Sequence, residues 1–297
     1  MDTFLYDTNN SQIDLMRVPA PIFPDFNSQS EYSRKMMNAK SKNDETFWSE
    51  MRQVFAHDFA TLPKERFKVW ASVWTVPFLS RTRYIECLQV VLNKMSEDEL
   101  YREALKEPMI GITQEDLMYV GAFDNFPTTM NRVLVMANLL FCGFTAEKLQ
   151  KMDKIVELGA GIGDMADVIY KLGFKGEYTI FDFPEIHNIQ RWYHTKLGHK
   201  NISYVSNFEE LNEADLCIAT WSLTEMPLDL RDQIMHKIGN TKNYLIAYSN
   251  MIFNFDNHDY IMNNFLPRFN NHDIEIIDVP FMNWDGGTKY LIVNERA

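Results

Sequence analysis

Three glycines at alternate positions, preceded by an acidic residue, form the segment of this sequence with the clearest chemical meaning. Gly159, Gly161 and Gly163 follow a short apolar run, and Glu157 stands two positions before the first glycine. A glycine-rich loop between a strand and a helix is typical of nucleotide-cofactor sites, because the backbone can approach the ligand closely. A dinucleotide loop has the spacing G-x-G-x-x-G and binds a pyrophosphate, which the carboxylate of Glu157 would repel. The segment therefore favours a cofactor that carries an ammonium group.

S-adenosylmethionine (SAM) is such a cofactor, because its methionyl end carries an amine and its sulfonium is positive. A second acidic residue, Asp182, stands 182 − 163 = 19 positions beyond the last glycine. A carboxylate at about this distance is typical of a ribose-binding residue, since it can accept hydrogen bonds from both ribose hydroxyls. The alternative for Asp182 is a helix N-cap, because Pro184 follows at a position suited to the first helical turn.

Strands and helices alternate in the second half of the chain, and this pattern predicts the elements that position these residues. Alternation of this kind indicates a parallel sheet with right-handed crossovers. The first predicted strand starts at Asp153 and leads into the glycine loop. The next four cover 177–181, 202–205, 215–220 and 244–249. Helices are predicted over 185–196, 229–238 and about 256–269. Two last strands, 274–279 and 289–293, have no helix between them and therefore predict a terminal hairpin.

The first half of the chain has a different character. Residues 1–43 are polar and contain three closely spaced prolines, so we expect an irregular arm. From residue 44 to about 150 apolar residues recur with helical spacing, which predicts an all-helical cap over the site. Residues 151–297 would then form the cofactor-binding domain.

The overall composition limits the classes of partner. The chain has 297 residues, and 46% of them are hydrophobic, enough for one large or two modest packed domains. Its formal net charge of −12 repels nucleic-acid backbones, so we expect no nucleic-acid substrate. We find no signal peptide, and the longest apolar run, 133–144, is too short to span a bilayer, so no membrane partner is expected. Three scattered cysteines, Cys87, Cys142 and Cys217, are typical of a reduced, cytoplasmic protein without a zinc site.

These features together resemble the class I SAM-dependent methyltransferase fold, a Rossmann-like α/β fold whose seven strands include a closing antiparallel hairpin. The resemblance covers about residues 151–297 and implies the strand order 3-2-1-4-5-7-6, here with an N-terminal helical cap. It also implies that the three glycines pass under the cofactor, with Glu157 near its methionyl end and Asp182 on its ribose.

Two short motifs resemble the sugar O-methyltransferase family more narrowly. Residues 181–185 read Phe-Asp-Phe-Pro-Glu, where that family has a D-L-P-E-like segment after its second strand. Residues 221–227 read Trp-Ser-Leu-Thr-Glu-Met-Pro, where the family has S-x-[ST]-E after its fourth strand. Phe183 departs from the expected leucine and Thr224 from the commoner serine, but neither change removes a charge.

The remaining candidates for cofactor binding follow the third and fourth strands. Asn207 and Phe208 stand where this fold class reads the adenine, and the alternative is a turn residue beside a core phenylalanine. Thr220 and Trp221 end the fourth strand and should face the methyl group. Trp221 would shield the sulfonium or stack on a sugar, since an aromatic face attracts a positive centre; the alternative is core packing. The predicted cofactor contacts are Glu157, Gly159, Ala160, Gly161, Gly163, Asp182, Phe183, Asn207, Phe208, Thr220 and Trp221.

Candidates for acid–base chemistry lie after the fourth and fifth strands. Glu225 is in the loop that borders the acceptor in this fold, where it would accept the proton of an attacking hydroxyl or hold another hydroxyl; the alternative is a capping role. Histidine is a common base near neutral pH. His258 follows the fifth strand and His187 follows Asp182. For each histidine the alternative is a surface or structural role.

We therefore expect SAM-dependent transfer of a methyl group to a hydroxyl oxygen of a small molecule, without a metal. The resemblance implies a sugar or sugar-containing metabolite as the acceptor, bound under the region 44–150. Three alternatives remain open: a carboxylate, amine or phenol as acceptor, a scaffold that binds SAM without catalysis, and an NAD-dependent oxidoreductase. The [ND]-P-P-[YF] segment and the proline–cysteine pair of base-methylating enzymes are absent from the sequence after the fourth strand.

Overall fold

A seven-stranded sheet, built from the second half of the chain, forms the centre of the molecule. The computed structural model describes residues 44–70, 90–95, 97–113, 118–120, 126–252, 255–280 and 287–296. The strands of the sheet are β1 (Lys154–Leu158), β2 (Glu177–Phe181), β3 (Ile202–Val205), β4 (Leu216–Thr220), β5 (Asn243–Ser249), β6 (His272–Asp278) and β7 (Thr288–Glu295).

The order of the strands across the sheet is β3-β2-β1-β4-β5-β7-β6, which confirms the predicted order. Strands β1 to β5 run parallel, and β7 is antiparallel to both β5 and β6. Strand β1 lies in the middle of the sheet. Strands β2 and β3 are added on one side of it and the later strands on the other, so the strand order reverses between β1 and β4. In open α/β sheets the loops at the carboxyl ends of the strands form a ligand-binding crevice at this point.

Helices flank the sheet and connect its strands. The principal ones are α1 (Asp44–Thr61), α2 (Glu99–Leu105), α3 (Met130–Phe141), α4 (Ala146–Leu149), α5 (Asp164–Lys171), α6 (Pro184–Leu197), α7 (Leu228–Lys237) and α8 (Asn257–Tyr260). The predicted helices 185–196 and 229–238 are confirmed as α6 and α7. The predicted helix 256–269 is irregular, because α8 continues as a π-helical turn and then as a 3-10 turn. Pro267 lies in that last turn and has no backbone N–H with which to continue an α-helical ladder.

Successive residues of a strand point to opposite faces of the sheet, and each face carries its own core. Helices α3 and α5 cover one face, where Ile155 and Tyr178 are buried. Helices α7 and α8 cover the other face, where Val156 and Tyr244 are buried. The first core also contains residues from the first half of the chain, such as Leu105. The segment before the sheet therefore packs directly on it.

Within its described residues, the segment before the sheet is mostly, but not entirely, helical. An antiparallel pair of three-residue strands, Met118–Val120 and Phe126–Thr128, interrupts it, so the prediction of an all-helical region is wrong. Strands of this length show too little alternation of apolar and polar residues to be predicted from periodicity. The predicted arm, 1–43, lies outside the described residues, and the domain boundaries at residues 43 and 150 stay predictions.

Candidate functional site

Loops from the parallel strands meet at the carboxyl edge of the sheet, on both sides of the reversal between β1 and β4. The first residues of two of these loops are still tied to the neighbouring strand. Gly159 N–H donates to Phe181 O (2.8 Å), and Asp182 N–H donates to Val205 O (3.2 Å). The glycine loop and the predicted ribose-binding carboxylate therefore begin side by side.

All three glycines of the loop have a positive φ: +69° at Gly159, +54° at Gly161 and +91° at Gly163. A residue with a side chain is strained in this region of φ/ψ space. A Cβ atom would also collide with the side chain of Ser222 at Gly159, and it would lie 2.5 Å from the ring of His194 at Gly163. At Gly161 it would meet no atom of the described residues within 4 Å. The loop is thus packed against the protein at both ends and open at its centre, where a ligand can approach.

Polar side chains of α6 hold the glycine loop from behind. Gln190 is fully buried, and its Nε2 donates to Gly161 O (2.8 Å) and to Asp182 Oδ2 (2.9 Å). One turn further along the helix, the ring Nε2 of His194 lies 2.9 Å from Gly163 O. One amide thus joins the centre of the glycine loop to the predicted ribose-binding carboxylate. Neither Gln190 nor His194 is among the residues predicted from the sequence.

Two histidines on α6 contact the glycine loop or the side chain that holds it. Burial lowers the pKa of His194 to about 4, so its neutral ring donates from Nε2 to Gly163 O and accepts at Nδ1 from Tyr204 OH (2.8 Å). His187 Nδ1 lies 2.8 Å from Gln190 Oε1 and its Nε2 lies 3.1 Å from Val205 O, so the ring stands between two acceptors. His187 therefore fixes the orientation of the Gln190 amide.

The carboxylate of Asp182 is half-buried and already oriented by hydrogen bonds. Phe183 N–H donates to its Oδ1 (2.8 Å) and Gln190 to its Oδ2. Burial raises the pKa of Asp182 to about 6, although these hydrogen bonds and one from the Ala160 backbone act in the opposite direction. The N-cap position of α6 belongs to Phe183, so the N-cap alternative for Asp182 is wrong. A carboxylate has about four lone-pair sites, so this one retains capacity for further donors.

Glu157 is buried in β1, one residue before the end of the strand, with 2% of its surface exposed. Tyr178 OH donates to its Oε2 at 2.8 Å. Burial raises the pKa of Glu157 to about 8, and the negative charges of Asp182 and Asp164 act in the same direction. A positive group bound nearby would favour the ionised form. The region around the glycine loop thus contains two carboxyl groups, those of Glu157 and Asp182, whose ionisation a cationic ligand would promote.

The start of α5, directly after the glycine loop, carries a buried network of charges. Lys68 Nζ donates to Asp164 Oδ1 and to Glu107 Oε1, both at 2.8 Å. Arg132 is fully buried and pairs with Asp167 Oδ2 at 2.7 Å. Burial opposes the ionisation of Asp164, but the charges of Lys68 and Arg132 outweigh it and hold the pKa of this carboxyl below its usual value. The network joins the segment before the sheet to the helix that follows the glycine loop.

Replacing Arg132 with methionine is expected to lower the free energy of unfolding by about 3–5 kcal/mol, because two buried carboxylates each lose one of their charged partners. Urea denaturation measures the change. Lys151→Met is the matched control, since Lys151 pairs with Glu147 at the surface and both side chains are mostly exposed. It should leave the stability almost unchanged. Equal losses in the two variants would contradict a structural role for the buried network.

Trp221, directly after β4, has a strained backbone. Its φ is +61°, a value that a bulky residue adopts only when its surroundings impose it. Trp221 N–H donates to Ala247 O (2.7 Å), and Ser222 Oγ donates to Leu158 O at the end of β1. The indole Nε1 is buried, and no described residue accepts its hydrogen bond. These bonds hold Trp221 and the half-buried Thr220 at the reversal between β1 and β4, where strain of this kind is typical of a functional site.

Glu225 ends a short 3-10 turn, Leu223–Glu225, in the same loop. Its side chain is half-buried, and its carboxylate forms no hydrogen bond with a described residue. Burial raises the pKa of Glu225 to about 8, and the positive charge of Arg231 lowers it in part. A carboxyl group that titrates near neutral pH is suited to act as a general base.

His258, the other catalytic candidate, lies on α8 and is half-buried. Its ring Nδ1 is 2.9 Å from Tyr248 OH, and the two rings stack with their centroids 6.2 Å apart. This contact ties one ring nitrogen to a residue of β5. A role of His258 in proton transfer stays a prediction.

The residues predicted to surround the adenosine differ in their exposure. The ring of Phe183 packs under α1, with its centroid 5.9 Å from that of Trp48. Asn207 is exposed, and its Oδ1 accepts a hydrogen bond from Glu209 N–H (3.1 Å) at the start of a 3-10 turn. Phe208 is half-buried against the core below α7. Asn207 and Phe208 thus form a turn residue and a core ring here, and their contacts with an adenine stay predictions.

The described residues show no features of a metal site or of a membrane span. They contain no group of three histidine, cysteine or acidic side chains that could hold a metal ion. None of their helices is both long and apolar enough to cross a membrane. Cys142 and Cys217 are buried free thiols, and Cys87 lies outside this part of the chain. The absence of a metal stays a prediction.

Solved methyltransferase structures are among the proteins to which this chain is similar. No protein-family model matches the sequence, and no curated protein matches it. The chain is similar to an rRNA methylase from Streptococcus thermophilus, with 13% identity over 53% of this chain and 95% of that chain and a TM-score of 0.40. It is also similar to precorrin-6y C5,15-methyltransferase from Geobacter metallireducens, with 14% identity over 52% of this chain and 87% of that chain and a TM-score of 0.38. At these values the similarity assigns neither an activity nor a substrate.

Proposed function

We propose that the protein is a SAM-dependent methyltransferase that acts on a hydroxyl oxygen of a small molecule, with a sugar or sugar-containing metabolite as the acceptor. The observation that carries the proposal is the glycine loop at the reversal of the strand order, open at Gly161 and flanked by the carboxyl groups of Glu157 and Asp182. SAM supplies an electrophilic methyl group on a positive sulfonium. The residues of the chain then have to bind the cofactor, align it with the acceptor and remove a proton.

The residues of the crevice fit this cofactor. The open space at Gly161 leaves room for the cofactor to lie against the backbone. The Asp182 carboxylate, oriented by Phe183 N–H and Gln190, can accept from both ribose hydroxyls. Glu157 adds negative charge for the ammonium group, and the bound cation would in turn favour its ionised form. A pyrophosphate in the same place would be repelled by the carboxylate of Glu157, which argues against NAD.

We assign proton removal to Glu225. Its pKa of about 8 leaves part of the protein with an ionised carboxylate at neutral pH and gives that carboxylate useful basicity. General-base catalysis contributes about 10²–10⁴-fold. The alignment of donor and acceptor contributes about 7–11 kcal/mol. An alcohol with a high pKa needs the base more than a phenol does.

Two observations support a polar acceptor. The loop 221–227 carries the motif that resembles the sugar O-methyltransferase family. Trp221 in that loop has a buried indole N–H without an acceptor among the described residues, and a buried donor of this kind is costly unless a ligand satisfies it. An acceptor rich in oxygen atoms would supply the missing hydrogen bond and could also stack on the ring.

Binding and transfer measurements test the proposal in turn. In calorimetry and thermal-shift experiments, we expect SAM and S-adenosylhomocysteine to bind and raise the melting temperature, and NADH to have no effect. Nucleotide sugars, free sugars and phenols are then incubated with labelled SAM, and transfer to a sugar is expected. Binding of NADH but not SAM would overturn the assignment of SAM as the cofactor. Transfer only to phenols would overturn the assignment of a sugar as the acceptor. SAM binding without transfer to any acceptor would favour a scaffold.

A further inference from the structure

Arg231, on α7, holds the backbone of the loop after β4. The residue is buried, with 3% of its surface exposed. Its Nη2 donates to Thr224 O (2.5 Å) and its Nε to Met226 O (2.6 Å), the carbonyls on either side of Glu225. A guanidinium presents its donors in a rigid fork, so it can hold two carbonyls at once in a fixed geometry. One side chain therefore fixes the backbone that carries the candidate base.

The third guanidinium nitrogen of Arg231 reaches the end of β5. Its Nη1 donates to Asn257 Oδ1 (2.8 Å), and Asn257 Nδ2 donates to Ser249 O (3.1 Å). The backbone N–H of Asn257 donates to Asn250 O (2.8 Å). Both Arg231 and Asn257 are buried, so water competes little for these hydrogen bonds. A continuous chain of bonds thus joins the loop after β4 to the segment after β5.

We propose that Arg231 is a positioning residue for methyl transfer: it sets the position of Glu225 and, through Asn257, couples that position to the end of β5. The inference rests on the proposed function, because Arg231 acts only through Glu225.

The charge of Arg231 acts on Glu225 in addition to its hydrogen bonds. Among the described residues, it is the only charged group that shifts the pKa of Glu225, and it lowers that pKa against the larger effect of burial. When the charge is removed, Glu225 ionises only at higher pH. The rise of kcat with pH then moves upward. A side chain that merely stabilised the fold would change kcat without moving this rise.

The test compares variants that remove the charge, Arg231→Met and Arg231→Gln, with Arg231→Lys, which keeps it. Methyl transfer is measured across pH with the acceptor found in the panel. For the uncharged variants we expect kcat to fall about 100-fold and its rise to move up by about one pH unit. Arg231→Lys cannot hold both carbonyls, so its kcat should fall while its pH dependence stays that of the unsubstituted protein. The KM for SAM should change less than about twofold in all three, because the cofactor contacts are elsewhere.

Two further variants complete the comparison. Arg268→Met is the matched control. Arg268 binds Asp232 (2.8 Å), which lies on α7 beside Arg231, but it contacts neither carbonyl beside Glu225. This variant should leave kcat unchanged. Asn257→Ser removes the link to β5 and should lower kcat. Its effect should not add to that of Arg231→Lys, because both changes break one chain of bonds.

The outcomes separate this inference from the proposed function. A chain that is inactive on every acceptor would overturn the proposed function itself. An active chain in which the uncharged variants keep the original kcat and pH dependence would overturn the role of Arg231 and leave the function intact. Equal loss of kcat in the Gln, Met and Lys variants, without movement of the pH rise, would also overturn that role. Circular dichroism and SAM calorimetry establish which variants are folded, and Arg231→Gln serves if Arg231→Met is not.

Discussion

Gly161→Val is expected to remove almost all binding of SAM while the chain remains folded. A Cβ atom at this position would meet no atom of the described residues within 4 Å, so valine would occupy only the space that a ligand enters. The positive φ costs a residue with a side chain about 1–2 kcal/mol, which a domain of ordinary stability survives. Steric overlap with the cofactor should weaken its binding by about 100-fold or more. Calorimetry measures the affinity, and circular dichroism verifies the fold.

Gly143→Val is the matched control for this experiment. Gly143 also has a positive φ, +71°, and a Cβ atom there would likewise meet no atom of the described residues within 4 Å. It lies in the turn after α3, before the amino end of β1, whereas Gly161 lies beyond the carboxyl end. The two variants thus carry similar backbone strain, and only one should lose SAM. Undiminished affinity in Gly161→Val, or equal loss in both, would argue against a cofactor seated on the glycine loop.

The strands and the glycine loop are predictable from the sequence because their signals are local. Strands β2 and β3 have the predicted bounds, since each is a short run of β-favouring residues between turns. The spacing of the glycines and the distance to Asp182 are likewise properties of neighbouring residues. The order of the strands across the sheet is not local, and it came from the resemblance to a known fold rather than from periodicity.

The residues that support the loop could not be assigned from the sequence, although α6 carries a visible pattern. His187, Gln190 and His194 have the spacing i, i+3, i+7, which places them on one side of the helix. A polar stripe of this kind is typical of a solvent-facing surface. Here it faces the glycine loop and the edge of the sheet, and Gln190 is fully buried. Only the packing of α6 against the sheet reveals what these side chains bind.

Features of the loop after β4 could not be predicted from the sequence for a related reason. The positive φ of Trp221 occurs where its N–H is bound to Ala247 O of β5 and Ser222 is bound to the end of β1, and no propensity would predict it for a tryptophan. Arg231 lies six residues beyond Glu225 on a helix, where a charged side chain is usually solvated. Its burial depends on α8, a distant part of the chain that supplies Asn257. Tertiary contacts thus determine the backbone conformation of Trp221 and the burial of Arg231, whereas the local sequence is enough to predict where the loop lies along the chain.

Glu225→Gln is expected to lower kcat by about 10²–10⁴-fold, because the amide keeps the shape of the side chain but cannot accept the proton of the acceptor hydroxyl. The pKa of Glu225 is raised to about 8, so the ionised base is scarce at low pH. In the unsubstituted protein kcat should therefore rise with pH and level off above about pH 8. In the variant the residual kcat should lose this rise. Steady-state transfer from labelled SAM, measured across pH, shows both effects.

His258→Gln provides the comparison for this last experiment. His258 lies at the neighbouring strand end, and one of its ring nitrogens is already bound to Tyr248 OH. If Glu225 is the base, His258→Gln should retain the rise of kcat with pH and most of its magnitude. Both variants should bind SAM with the affinity of the unsubstituted protein, since neither residue is placed on the cofactor. A large loss of kcat in His258→Gln, with Glu225→Gln fully active, would instead assign the role of general base to His258.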